Sequence, residues 1–182
     1  MKNIVRTLAA VVALSAAQAG FAADGLVDSI SLEGAGGQSV QLVRLSAQSD
    51  WSKRWFASNG YHLSGYWDAN IAYWRGNSFQ NVKGQHQNLG VVGITPVFRY
   101  QADDKLGWYG EAGIGASVFT ELYDNADNRL STAFEFADHI GAGYVFANKW
   151  ELGARLQHYS NGGIKHPNSG VNLFVVKASY HF

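Results

Sequence analysis

Residues 156–172, LQHYSNGGIKHPNSGVN, place His158 two positions before Ser160 and follow the pair with glycines, asparagines and one proline. In an extended chain, residues i and i+2 share a face and their backbones lie about 6.5–7 Å apart. Side chains at that spacing can lean into hydrogen-bond contact. An imidazole at 158 could then take the proton of a serine hydroxyl at 160, the opening step of nucleophilic ester hydrolysis. The glycines and asparagines that follow could turn backbone N–H groups toward the oxyanion created by such an attack. A lone His-x-Ser at a strand end is more often polar decoration of a hairpin, so the rest of the chain must weigh in. No G-x-S-x-G elbow occurs, which removes the α/β-hydrolase as a template.

What must position these residues follows from composition. The 182 residues suit one domain, and the formal net charge of zero offers no basic stripe for a phosphate backbone, which argues against nucleic acid. With no cysteine there is neither a disulfide framework nor a thiolate metal site. Glycine is abundant at 21, proline scarce at two and aromatics reach 14%, a balance suited to a twisted, closely packed sheet. The first stretch, Lys2 and Arg6 followed by TLAAVVALSAAQAG and small residues, reads as a secretory signal peptide over 1–22, cut after Ala22 or Ala19. The remaining domain, 23–182, contains no apolar run long enough for a transmembrane helix, so entry into a membrane requires a closed barrel.

Period-two alternation runs through the mature chain. In LSGYWDANIAYW the odd positions Leu63, Trp67, Ile71 and Tyr73 oppose Ser64, Asp68 and Asn70. WYGEAGIGASVF sets Trp108, Ala112, Ile114, Ala116 and Val118 against Tyr109, Glu111 and Ser117. WELGARLQHYS and NLFVVKASYHF repeat the pattern. About eight strands are predicted, over 26–34, 38–48, 62–75, 88–100, 107–119, 131–146, 149–160 and 171–182. Short turns alternating with long polar loops indicate an all-β, eight-stranded antiparallel transmembrane barrel of the bacterial outer membrane. The link over 49–61 is longer than a periplasmic turn should be. Glu33, Arg44, Asp68, Glu111, Glu135, Arg155 and Lys177 fall on the polar phase and must pair with one another inside a barrel too narrow for a pore. A lipocalin-like soluble barrel needs the opposite arrangement. The aromatic C-terminus ASYHF, on the apolar phase, resembles the terminal strand of outer-membrane proteins.

Phe182 orients the barrel. With the C-terminus periplasmic, the last strand descends, the preceding one ascends, and Ser160 ends at the extracellular rim. His158 and Ser160 continue the series Trp150, Leu152, Ala154 and Leu156 and point toward lipid, as does Asn172, which continues Phe174 and Val176. Polar groups facing hydrocarbon are costly without partners. The same arrangement suits an enzyme whose substrate is a lipid of the outer leaflet.

The segments HYSNGGIKHPNSG, EAGIGASVF and FEFADHIGAG and the terminal YHF together resemble the PagL family of outer-membrane lipid A 3-O-deacylases, over essentially the whole mature chain. That resemblance implies hydrolysis of the ester-linked 3-hydroxyacyl chain at the 3-position of lipid A, in lipopolysaccharide among outer-membrane lipids, by a serine hydrolase without metal or other cofactor. It assigns His158 as base, Ser160 as nucleophile, and Asn161, Gly163 and Asn168 as candidate oxyanion donors. Twelve residues after the nucleophile, where the best-known family pattern has a glutamate to orient the histidine, this chain has Asn172. An amide oxygen can accept an imidazole N–H but cannot offset imidazolium charge. Asp138 breaks the apolar phase of TAFEFADHIGAGYVF, and pairing of the flanking strands about the ANK turn sets it opposite His158, a candidate acid partner unless a bulge or register shift turns it away. His62, His86, His139 and His181 show no spacing for a shared metal and read as lumen, rim or loop residues, and His166 is a loop histidine that is a candidate contact for a substrate phosphate, although loop histidines are usually just solvated. Two other readings stay open at this point: a non-catalytic structural or adhesin barrel, and a barrel lipid acyltransferase. Homodimerisation also stays open.

Overall fold

The computed structural model describes residues 25–182; the leader expected over 1–22 lies outside the described residues. Strands β1 (Ser29–Gly37), β2 (Val40–Asp50), β4 (Tyr61–Gly76), β5 (Gln87–Ala102), β6 (Gly107–Phe119), β9 (Phe134–Val145), β10 (Trp150–Ser160) and β11 (Val171–His181) form the wall. Each pairs antiparallel with its neighbour in that order, and β1 closes on β11 from Ser29–His181 to Gly37–Leu173. An eight-stranded closed barrel results, without free edges. The first two strands start two to three residues later than their periodicity suggested, because pairing of β1 with β11 and of β2 with β1 and β4, not the weak local pattern, sets their bounds.

The wall follows the two-residue period. Ile71, Ile94, Trp108, Ile114, Ile140, Leu152, Leu156 and Phe174 are exposed on the outside, where a bilayer would cover them. At the turn-bearing end, Trp108 packs edge-on against Tyr144, and Trp150 against Tyr180, with ring centres 5.3 Å apart in both pairs. Such a girdle suits the membrane–water interface. The long link between β2 and β4 is explained by a short strand, β3 (Trp55–Ser58), that folds back on β4. Gly65 is required there: a Cβ would sit 2.5 Å from the Trp51 ring, which covers it.

The lumen is filled in two layers. Glu33 accepts hydrogen bonds from Arg44 and Arg155, while Glu151 is engaged by Arg99 at 2.9 Å and by Lys177 at 2.7 Å. Glu111 joins through Arg99 at 2.7 Å, and the Tyr66 and Tyr109 hydroxyls donate to the two carboxylates. All the polar-phase charges named from the sequence are buried, and Arg99 and Glu151 join them. Toward the opposite rim the contents turn aromatic: Trp74 meets Phe119, Tyr123 and Tyr159 at 5.1, 5.9 and 4.9 Å. Three loops cap this layer and brace one another. The small hairpin β7 (Asp124–Asn125) and β8 (Asn128–Arg129) lies between them. Phe79 bridges to Asn125 and Leu130 to Asn168.

Candidate active site

Strand β10 ends at the looped rim with His158 and Ser160 half-buried on the outer face and Tyr159 between them on the inner face. Tyr159 is 2% exposed, wedged against Trp74 and Phe119, and its hydroxyl accepts a hydrogen bond from Arg44 Nη1 at 3.1 Å. A large side chain locked in the lumen therefore holds the backbone from which the outward-facing His158 and Ser160 project. Its contribution was not recognised from the sequence; the available signal is a bulky aromatic on the inner phase between two small polar outer residues.

Two neighbouring strands frame the imidazole. In the register, His158 stands opposite Asn172 on β11 and opposite Asp138 on β9. The Asn172 side-chain oxygen lies 2.7 Å from His158 Nδ1. An amide oxygen can only accept, so Nδ1 carries the proton and Nε2 is left with a free lone pair. Asp138 keeps the outward phase, half-buried; β9 and β10 pair without a shift from Phe136–Ser160 to Val145–Glu151. Behind the ring lies Gly170, at a φ of +71°, where a Cβ would fall 2.6 Å from His158 Cε1. Only glycine combines that backbone with that approach. Nothing in the sequence pattern marks it.

Ser160 stands one row nearer the rim, opposite Phe136. Among the described residues no hydrogen bond joins Ser160 to His158, and catalytic pairs are often open in unliganded enzymes.

The loop after Ser160 is tightly bonded. Asn161 is fully buried; its amide nitrogen donates to Lys165 O at 2.8 Å and its side-chain oxygen accepts the Gly163 N–H at 3.0 Å. The Asn161 N–H donates to Asn168 Oδ1 at 3.1 Å, and Ser131 Oγ donates to Lys165 O at 2.8 Å from the neighbouring loop. Asn161, Gly163 and Asn168 are thus brought together beside Ser160. The N–H groups of the first two are committed to the loop itself, because a turn this tight must satisfy its own polar groups.

Below the His158 row, on the membrane side, a trough of about 830 Å³ crosses the outer wall. Phe98, Ala112, Ile114, Ile140, Leu156 and Phe174 line it, with Asp138, His158 and Asn172 along its upper edge. Small residues on β6 and β1, Ala112 and Gly36, lower the surface there. The remaining histidines go elsewhere: His62 to Asp103 at 2.9 Å, His181 to Glu151 at 2.8 Å, His86 toward Gly76 O, and His139 into the lumen. His166 stays exposed in the loop.

Comparison with known proteins places the chain in a family and matches its fold. Residues 41–181 match the family described as lipid A 3-O-deacylase (PagL). A protein of Pseudomonas aeruginosa named lipid A deacylase PagL is 39% identical over 142 residues, 78% of each chain. Its namesake in Bordetella bronchiseptica is 32% identical over 155 residues, covering 84% of this chain and 83% of the relative. The crystal structure of the outer membrane enzyme PagL superposes with a TM-score of 0.73 at 32% identity, covering 85% of this chain and 99% of that one. This chain belongs to the PagL family of lipid A 3-O-deacylases.

Proposed function

We propose that this barrel resides in the outer membrane and hydrolyses the ester-linked 3-hydroxyacyl chain at the 3-position of lipid A in the outer leaflet, with Ser160 as nucleophile and His158 as its base. The observation that carries the reading is an oriented imidazole on the lipid-facing wall: His158 Nδ1 against Asn172 Oδ1 at 2.7 Å, beside Ser160 and above an apolar trough. A soluble hydrolase has no use for such a site on its outside. A lipid enzyme does, since the acyl chain descends along the trough while the sugar stays at the headgroup level.

In this mechanism His158 Nε2 takes the Ser160 proton as Oγ attacks the ester carbonyl carbon. The tetrahedral intermediate collapses by breaking the bond to the sugar oxygen, which leaves with the proton from Nε2–H. Water then attacks the acyl-enzyme with His158 again as base, releasing a 3-hydroxy fatty acid and free Ser160. Asn172 holds the tautomer throughout. The oxyanion donors are drawn from Asn161, Gly163 and Asn168. Asn168 uses its Oδ1 within the loop and keeps its Nδ2 hydrogens for substrate, whereas the N–H groups of Asn161 and Gly163 must exchange their present acceptors to take part.

The test is the mass of lipid A from purified lipopolysaccharide incubated with the folded barrel. Wild type should remove one 3-hydroxyacyl chain, and Ser160→Ala and His158→Ala should remove none. An unchanged spectrum with folded wild type would overturn the reading, and a gain of acyl mass on an acceptor would point to transfer in place of hydrolysis.

A further inference from the structure

We infer that Asp138 is a positioning residue for this reaction: its carboxylate supplies the negative charge that Asn172 lacks, stabilising the His158 imidazolium as it forms. The inference rests on the proposed role of His158 as base. Four observations carry it. Asp138 interrupts an outer face that otherwise reads Phe134, Phe136 and Ile140, so a carboxylate stands where the bilayer-facing pattern calls for an apolar side chain. Its Oδ1 is sealed from solvent and has no hydrogen-bond partner among the described residues. Its neighbours in the same row are Ile114 on β6, which can offer nothing, and His158 on β10. And its main-chain carbonyl accepts Gln157 Nε2 at 3.0 Å, a bond from the lumen side that keeps the backbone in register and the carboxyl outward.

The charged and titratable groups around His158 leave Asp138 as its counter-charge. On β9, Glu135 and His139 turn inward, and Tyr144 lies at the far end of the strand. On β11, Lys177 and His181 belong to the lumen side and Tyr180 to the far girdle. On β10 itself, Glu151, Arg155 and Tyr159 are buried inside. Lys165 and His166, in the loop beyond Ser160, are exposed and cationic or neutral, never anionic. Directly opposed residues on an antiparallel pair have Cβ atoms about 5 Å apart, close enough for a carboxylate to act on an imidazolium through a medium of low dielectric. The pair of side chains flanking the ring thus divides what a single carboxylate does in an Asp-His arrangement: the amide fixes the tautomer, and the carboxylate across the strand supplies the charge.

The experiment measures kcat and kcat/KM against pH on lipopolysaccharide in detergent micelles, for wild type, Asp138→Asn, Asn172→Glu and the double variant, with Ser160→Ala as blank. With the neighbouring negative charge removed, the imidazolium is less stabilised, so in Asp138→Asn the acid limb of kcat/KM should move to lower pH while kcat falls at least ~10-fold. Asn172→Glu in the Asp138→Asn background should restore most of that rate and move the limb back up. If Asp138→Asn does not fold, as judged by its electrophoretic shift on heating, Asp138→Ser carries the same expectation. An unchanged limb overturns the inference, whether the rate is wild-type or reduced, since a purely structural loss would not titrate differently. Activity in Ser160→Ala would instead sink the proposed function itself, so the two failures are distinguishable.

Discussion

Gly170 lets the catalytic reading be tested at a residue that performs no chemistry. In Gly170→Ala the new Cβ would lie 2.6 Å from His158 Cε1 and 3.2 Å from Nε2, while ordinary contact begins at 3.4 Å. The ring must withdraw by about 0.8 Å, and it must do so while Asn172 holds Nδ1 at 2.7 Å. Misplacement of a reacting group by about 1 Å costs on the order of 100-fold in rate. The φ of +71° adds backbone strain of about 1 kcal/mol, which bears on the loop and not on the barrel. Gly84→Ala is the matched control: it lies in a loop on the same rim at a φ of +86°, and its Cβ would meet nothing within 4 Å. Both variants should fold, with wild-type heat-dependent mobility on a gel. Release of 3-hydroxy fatty acid, followed by mass spectrometry, should fall roughly 100-fold in Gly170→Ala and stay within about twofold of wild type in Gly84→Ala. Equal activities in the two variants would refute the argument that Gly170 seats the imidazole.

Two further outcomes follow from the wall and the lumen. Ala112→Phe places a ring in the trough beneath His158, and the ratio of long-chain to short-chain ester hydrolysis should drop about tenfold, measured on paired substrates; an unchanged ratio would mean that the acyl chain lies elsewhere. Glu33→Gln leaves the buried Arg44 and Arg155 guanidiniums without their shared counter-charge, and should destabilise the barrel by roughly 3–5 kcal/mol in reversible guanidinium unfolding from vesicles. A loss below about 1 kcal/mol there would show that water reaches the lumen and screens the network.

How much of this was legible beforehand divides along a physical line. The two-residue period is local: each residue's face is set by its own strand, so Trp108, Ile114 and Leu156 outside and Glu111, Arg155 and Lys177 inside could be read without knowing any partner. His158 and Ser160 share a face for the same reason, and so their placement side by side on the outer wall was visible in eleven residues of β10. Register across a turn of four residues is nearly as local, which is why Asp138 could be set against His158 from the ANK turn. What depends on separations of tens to more than a hundred residues could not be read. Arg44 reaching Tyr159, Ser131 holding Lys165, and the bounds of β1 imposed by β11 follow from barrel closure. The seat of the imidazole on Gly170 and the apolar trough across β5, β6, β9, β10, β11 and β1 exist only once six strands stand side by side, because a contact between faces is a property of neither face alone.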